Sequence, residues 1–299
     1  MILTLSGFSK TGILNPQGAV AEKELDLFIF SIVLLLFIVL PVIFLIFFIS
    51  WRYRASSKKI VKYDPNWRHS SILEIIWWAV PCFIISILAV VTWKTTHSLN
   101  PYSDSVVLAD FNDKFNEKEK KRSNPIEIEV VALDWKWMFI YPQYKIATVN
   151  SIKIPKDTPV NFRITSAAPM NSFFIPQLAG QIYAMTGMVT KLHLIGNSLG
   201  DYRGFSANYT GKGFAHMQFF TSVSSQEEFE EWIQKIKDFD SEKSSNLTWD
   251  HFWNDLIKQS INDPVKYYSN VDERLFDDIV MSYMEPNYVP GSSHSCSSQ

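Results

Sequence analysis

From Leu27 to Ile49 the chain is apolar at every position except Ser31 and Pro41. A run of that length reaches across a hydrocarbon core of roughly 30 Å as a helix rising 1.5 Å per residue. Lipid offers no hydrogen bonds to the backbone, so a helix is the form this stretch can take in a membrane. Pro41 is compatible with it, because neighbouring groups can satisfy a carbonyl freed by a proline. A second run, Ile72 to Trp93, is interrupted by Glu74, Pro81 and Ser86. Between the two, Arg52, Arg54, Lys58, Lys59, Lys62 and Arg68 face a single acid, Asp64. A short basic loop stays in the cytoplasm. The prediction is a two-helix hairpin over residues 25–97, with both termini outside. Trp51, Trp67, Trp77, Trp78 and Trp93 fall at or near the span ends, as interfacial anchors do.

The texture changes beyond the hairpin. Residues 98–124 lose hydrophobic pattern and carry a dense mixture of Asp, Asn, Glu and Lys, which reads as a solvated connector. From Pro125 short β-rich runs follow: Ile126–Leu133, Lys136–Tyr141, Val160–Thr165, Val189–Ile195 and His216–Val223. Turn signals separate them, as in Tyr141-Pro142, Asp157-Thr158-Pro159 and Gly211-Lys212-Gly213. Alternation in Ile126-Glu127-Ile128-Glu129-Val130 marks a strand with one polar face. The spacing predicts a β-sandwich or barrel over residues 125–223. Three amphipathic helices are predicted in 224–285, over Phe229–Phe239, over Trp249–Ile261, and around Leu275, Phe276, Ile279, Val280 and Tyr283. Residues 286–299 are mostly a serine-rich tail, and 1–24 precede the first span.

A net charge of −2 gives no basic surface for nucleic acid. The two cysteines, Cys82 and Cys296, form no disulfide framework, and neither lies between Pro125 and Val223. That absence excludes thiolate-bridged copper, and equally a mononuclear blue-copper site, from the β-rich region. His193 and His216 are read as polar strand residues rather than ligands.

The stretch Gly204–Met217, G-F-S-A-N-Y-T-G-K-G-F-A-H-M, resembles the copper-binding loop of subunit II of the haem–copper respiratory oxidases, C-x-E-x-x-C-x-x-x-H-x-x-M. On that pattern the cysteine positions fall on Ser206 and Thr210, the glutamate on Asn208, the histidine on Phe214 and the methionine on Met217. The upstream histidine segment resembles Ala167–Pro176, with Asn171 at the ligand position. A loop kept without its ligands is the pattern of the cytochrome bo-type, quinol-oxidising branch of that family. The resemblance runs from roughly Leu25 to Asn270. It implies a cupredoxin-like Greek-key sandwich, and it places the C-terminal helices in an extension that this branch carries.

Leu73-Glu74-Ile75-Ile76-Trp77-Trp78-Ala79-Val80-Pro81 resembles the family's L-E-x-x-W-x-x-x-P, whose glutamate lies at the mouth of a proton channel into subunit I. Asp134-Trp135-Lys136-Trp137 resembles the aromatic patch that receives electrons from cytochrome c. With no copper behind it, packing and contact are the roles left to Trp135 and Trp137. Leu5-Ser6-Gly7-Phe8 resembles a lipoprotein processing site whose cysteine has become phenylalanine. The resemblance implies a non-redox subunit of a proton-pumping quinol oxidase in a bacterial inner membrane, its main domain periplasmic. Subunits I, III and IV and membrane lipid are its partners, and quinol is met through subunit I. Haems and the second copper belong to subunit I, and no cofactor or metal to this chain. Two alternatives are a copper subunit of a cytochrome c oxidase, which needs the missing thiolates, and a membrane-tethered assembly protein, which needs no Glu74.

Overall fold

A computed structural model describes residues 12–54, 68–98, 125–238, 246–285 and 287–291. The connector, most of the basic loop, the segment around Phe8, Phe239 and the end of the tail with Cys296 lie outside the described residues. The chain divides into two compact units, residues 23–100 and a second made of 1–22 with 101–299.

In the first unit, α1 (Ala19–Arg52) and α2 (Ser71–Ser98) are both long and apolar enough to cross a membrane. Their hydroxyls are satisfied within the helix. Ser31 donates to the Leu27 carbonyl at 2.8 Å, Ser50 to Ile46, Ser86 to Cys82 and Thr95 to Val91, each four residues back. Such bonds remove the cost of a bare donor in hydrocarbon. Phe37, Phe44, Phe47, Trp77, Trp78 and Phe83 are each more than 60% exposed, as a lipid-facing surface requires.

The second unit is a two-sheet sandwich. Its strands are β1 (Ile126–Leu133), β2 (Lys136–Tyr141), β3 (Ile146–Val149), β4 (Ser151–Pro155), β5 (Pro159–Ser166), β6 (Asn171–Ile175), β7 (Ala179–Ala184), β8 (Thr190–Ile195), β9 (Gly200–Ser206) and β10 (Gln218–Ser224). One sheet runs β11-β3-β2-β1-β5-β8, where β11 is Lys266–Tyr268; the other runs β4-β10-β9-β6-β7. β1 lies parallel to β5 and β4 parallel to β10, while their other neighbours are antiparallel. The inner faces meet in an aromatic core in which Phe173 and Phe219 stack at 5.1 Å with Trp137 and Phe139 edge-on or tilted against them. Helix α3 (Gln226–Lys237) opens with a Ser225–Glu228 capping box and adds Phe229, Ile233 and Ile236 to that core.

A second core lies on the opposite face of the six-stranded sheet. Val131, Leu133, Met138, Ile140, Ala147 and Val149 point away from the sandwich interior and meet Leu247, Phe252, Leu256, Leu275, Phe276 and Ile279 of the C-terminal extension. That is why β1 changes from alternation to the unbroken Val130-Val131-Ala132-Leu133: both faces are covered there. The stretches 125–223 and 224–285 are therefore one packed body. Residues 12–22 join it too, with Gln17 N–H donating to Gln177 O at 2.7 Å and Gly18 bridging Gly196. A Cβ on Gly18 would sit 2.6 Å from the Leu178 carbonyl oxygen.

Two expectations are corrected in detail. His216 is not in a strand: it closes a 3-10 turn, Phe214–His216, before β10 begins. The helix expected over Trp249–Ile261 is a single turn, Trp249–His251, that widens into a π-turn over Phe252–Leu256 and stops. Just beyond it, the Lys258 carbonyl accepts from the buried Lys136 ammonium. The third helix forms as expected, α4 (Leu275–Met284).

Candidate functional site

Ser206 ends β9, Asn171 opens β6, and Met217 immediately precedes β10, so strand pairing alone draws these three positions together. Phe173 pairs with Ser206 across the sheet, and Ser206 N–H donates to Met217 O at 3.1 Å. The Ser206 hydroxyl lies 3.1 Å from Asn171 Oδ1 and 3.3 Å from Asn208 O, and donates to one of them at a time. Asn171 Nδ2 donates to Pro169 O at 2.7 Å, and Asn208 Nδ2 to Met170 O at 2.8 Å. Asn171, Ser206 and Met217 are 1%, 2% and 0% exposed. Ser206, Phe214 and Met217 line one hollow together with Arg203, Phe205 and Gln218.

Thr210 does not line that hollow. The Phe214 ring is half-buried and meets Tyr209 edge-on at 5.6 Å. The Thr210 carbonyl accepts from Trp135 Nε1 at 3.0 Å, while its hydroxyl is buried without a partner. Trp135 occupies the two-residue turn between β1 and β2 with φ 64°, a left-handed conformation costing about 1–2 kcal/mol in a residue with a Cβ. Its ring lies over Gly213, where a Cβ would come 2.2 Å from the indole, and glycine is required there by that close approach. The indole thus covers and fixes the loop.

The donors in this cluster are amides, hydroxyls, a carbonyl and a single thioether. They do not fit a thiolate-bridged copper pair, which needs soft sulfur ligands. Among the described residues no three His, Cys, Asp or Glu side chains come together as a metal site. His216 is exposed, and His193 on β8 is hydrogen-bonded to Asn161 across the sheet.

Trp137 is fully buried in the aromatic core and presents no surface, so an aromatic patch at this turn consists of Trp135. Lys136 between them is buried as well, donating to Lys258 O and Ser260 Oγ at 2.9 Å and lying 3.3 Å from Asp263. Burial lowers its pKa, and the Asp263 charge partly offsets this. Burial alone would raise Asp263, but Lys266 and Lys136 together hold it below the usual carboxylate range. Asn150 completes the joint, accepting from Trp137 N–H and donating to Asp263 O.

Glu74 lies in the first turn of α2, where a carboxylate is favoured by the free N–H groups of the helix start. Its side chain is 53% exposed and meets His69 Nε2 at 2.6 Å. His69 escaped the sequence reading; a histidine five residues before a membrane-end glutamate, across a helix start, was the available signal.

Comparison with known proteins agrees with this architecture. Residues 12–95 match the family model for the transmembrane domain of cytochrome c oxidase subunit II, and residues 242–287 match the COX aromatic-rich motif. Cytochrome bo(3) ubiquinol oxidase subunit 2 of Pseudomonas aeruginosa is 44% identical, over 98% of this chain and 82% of its own length. Ubiquinol oxidase subunit 2 of Acetobacter aceti is 44% identical over 91% and 82%. Cytochrome bo(3) ubiquinol oxidase subunit 2 of a Buchnera aphidicola strain is 41% identical over 91% and 89%. Among solved structures, the periplasmic domain of cytochrome oxidase subunit II from Bradyrhizobium japonicum overlaps 37% of this chain and 91% of its own, at 19% identity and a TM-score of 0.36. With two helices fit to span a membrane, a β-sandwich and an aromatic-rich extension, the chain belongs to the ubiquinol oxidase subunit 2 family.

Proposed function

We propose that this chain is the subunit II of a quinol-oxidising, proton-translocating terminal oxidase, and that it carries no redox centre itself. Electrons pass from ubiquinol to oxygen through subunit I, and this chain contributes a proton-channel entrance and a scaffold. The observation that carries the reading is the Ser206–Asn171 hydrogen bond at 3.1 Å, in a cluster of amide, hydroxyl and carbonyl groups where a copper loop would hold thiolates and imidazoles. An electron arriving at Trp135 would find no acceptor beneath it. Reduced cytochrome c is therefore not its substrate.

Glu74 has the placement of a proton acceptor: half-exposed, at a helix start, in contact with a second titratable group, His69. In this reading the carboxylate takes protons from the cytoplasm and passes them toward subunit I. The basic Arg52, Arg54 and Arg68 support a cytoplasmic loop. The pairing of Gln17 and Gly18 with the β-sandwich supports an N-terminal segment on the same, periplasmic, side as that domain. Subunits I, III and IV complete the complex.

The test is substrate choice by the purified complex. It should consume oxygen with ubiquinol and not with reduced cytochrome c. Rapid cytochrome c oxidation without an added haem-bearing subunit would refute the proposal.

A further inference from the structure

A cluster of charge lies where the extension meets the outer face of the six-stranded sheet. Glu129 on β1 and Arg163 on β5 are register partners. Arg163 Nη1 donates to Glu129 at 2.5 Å, Nη2 donates to Asp277 of α4 at 2.9 Å, and Nε lies 3.8 Å from Glu127. The guanidinium also lies 4.7 Å from the centre of the Phe276 ring. One cation thus serves three carboxylates, drawn from both the sheet and the helix. Lys191 is the register partner of Arg163 on β8, one strand further from Glu129. Asp278, the other acid in the first turn of α4, is engaged with Tyr288 and Arg274. On the β2 side Glu129 is paired with Ile140, which is apolar.

The three carboxylates are not equivalent. The side chains of Glu127 and Asp277 are each 45% exposed and screened by water, whereas that of Glu129 is 8% exposed. The surplus negative charge therefore bears hardest on Glu129. Burial raises its pKa to about 7, against the pull of Arg163 and with the help of Asp277 and Glu127.

We propose that Glu129 is a proton-operated latch for helix α4: the neutral carboxyl fastens the helix to the sheet, and the ionised carboxylate loosens it. With Glu129 neutral, the guanidinium of Arg163 is balanced by Asp277 and ties sheet to helix. When Glu129 gives its proton to solvent, three carboxylates share one guanidinium, and Glu129 and Asp277 repel each other across the seam. Lifting α4 relieves both effects by admitting water. Protonation changes no other bond. A carboxyl whose folded pKa is raised contributes its full stabilisation below about 4.5, loses it as pH rises through about 7, and contributes no further change well above that. The latch therefore closes as the periplasmic side acidifies.

The experiment is hydrogen–deuterium exchange of the α4 amides in the full chain within its purified complex, corrected for the intrinsic pH dependence of exchange. Between pH 6 and pH 8 the opening equilibrium should rise about tenfold, most of it below pH 7.5. Glu129→Gln should abolish that rise and keep the protection seen at pH 6. Asp277→Asn, which removes a neighbouring charge, should move the rise to more acidic pH. The latch is refuted by a wild type without the rise, by a Glu129→Gln complex that keeps it, or, should that variant not assemble, by an unmoved midpoint in Asp277→Asn.

Discussion

Replacing Lys136 by methionine sets two large effects against each other. The change keeps the apolar stem and deletes an ammonium whose side chain is 3% exposed. Its removal recovers a desolvation cost, and buried ion pairs replaced by apolar groups are often neutral or better for that reason. Against this stand two hydrogen bonds at 2.9 Å, to Lys258 O and Ser260 Oγ, and the ion pair with Asp263 at 3.3 Å. Bonds to charged groups contribute about 1.5–3 kcal/mol each, and an orphaned buried charge costs about 3–5 kcal/mol. Asp263 is not fully orphaned, because Lys266 remains 2.9 Å away. We therefore expect a net loss of about 2 kcal/mol. Asp263→Asn should lose a similar amount, and the double variant about 1 kcal/mol less than the sum, since the two share one interaction. Urea unfolding of the full chain in detergent, read as protease resistance of residues 246–285, measures all three. Additive losses, or a more stable Lys136→Met, would refute the claim that this pair fastens the extension to the β1–β2 turn.

Glu74→Gln keeps the shape of the side chain and removes its proton, so the complex should assemble while oxygen consumption and proton uptake fall about tenfold; normal turnover in an assembled complex would reduce Glu74 to a helix-end residue. Gly213→Ala places a methyl 2.2 Å from the Trp135 ring, and should cost about 1–3 kcal/mol while breaking the indole bond to Thr210, seen as loss of a protected indole N–H signal. Asn171→His, Ser206→Cys, Asn208→Glu, Thr210→Cys and Phe214→His together, in a soluble form spanning residues 125–291, should restore a purple, electronically coupled copper pair. Uncoupled single-copper binding by a folded variant would mean that these positions do not converge.

The parts of the fold legible in the sequence were those set by local rules. Leu27–Ile49 has few alternatives to a membrane helix, and β1, β2 and β5 were visible as short runs between turn residues. Asn171, Ser206 and Met217 were readable as neighbours only through the resemblance of their segments to the copper loop. Partners far along the chain were not legible. Lys136 gave no sign of its buried setting, since nothing local announces Asp263, and Trp137 read as patch although it is sealed in the sandwich core while Trp135, two residues before it, is half-buried in the turn. Glu127 and Glu129 both read as a solvated face. The first is half-exposed and the second is sealed under Arg163 and α4. The contact of Lys258 O with Lys136, just beyond the π-turn, was equally hidden, because the two residues are far apart in the chain.

A loop built to grip metal ordinarily draws stability from its ligand bonds, because a binding energy for the folded form is also a folding energy. Here the loop is closed by other bonds, at two levels. Locally, the Ser206, Asn171 and Asn208 hydrogen bonds close the loop from within, and Trp135 closes it from above through Thr210 and Gly213. Globally, the strands that present the loop and their neighbour β6 bury Phe219 and Phe173 in the sandwich, and the six-stranded sheet across from them is packed on both faces, with Trp137 and Phe139 toward the sandwich and Val131, Leu133 and Met138 toward the extension. The strands that present the loop are fixed by apolar burial rather than by metal. Lys136 sits at the junction of these two devices. It follows Trp135 in the same turn and bonds to the extension, so the aromatic cover of the loop and the grip on the aromatic-rich motif are mechanically one element. A disturbance of the extension, whether by Lys136→Met or by ionisation at Glu129, should therefore reach the loop through β1 and its turn, whereas a change at Asn171 or Ser206 should stay local.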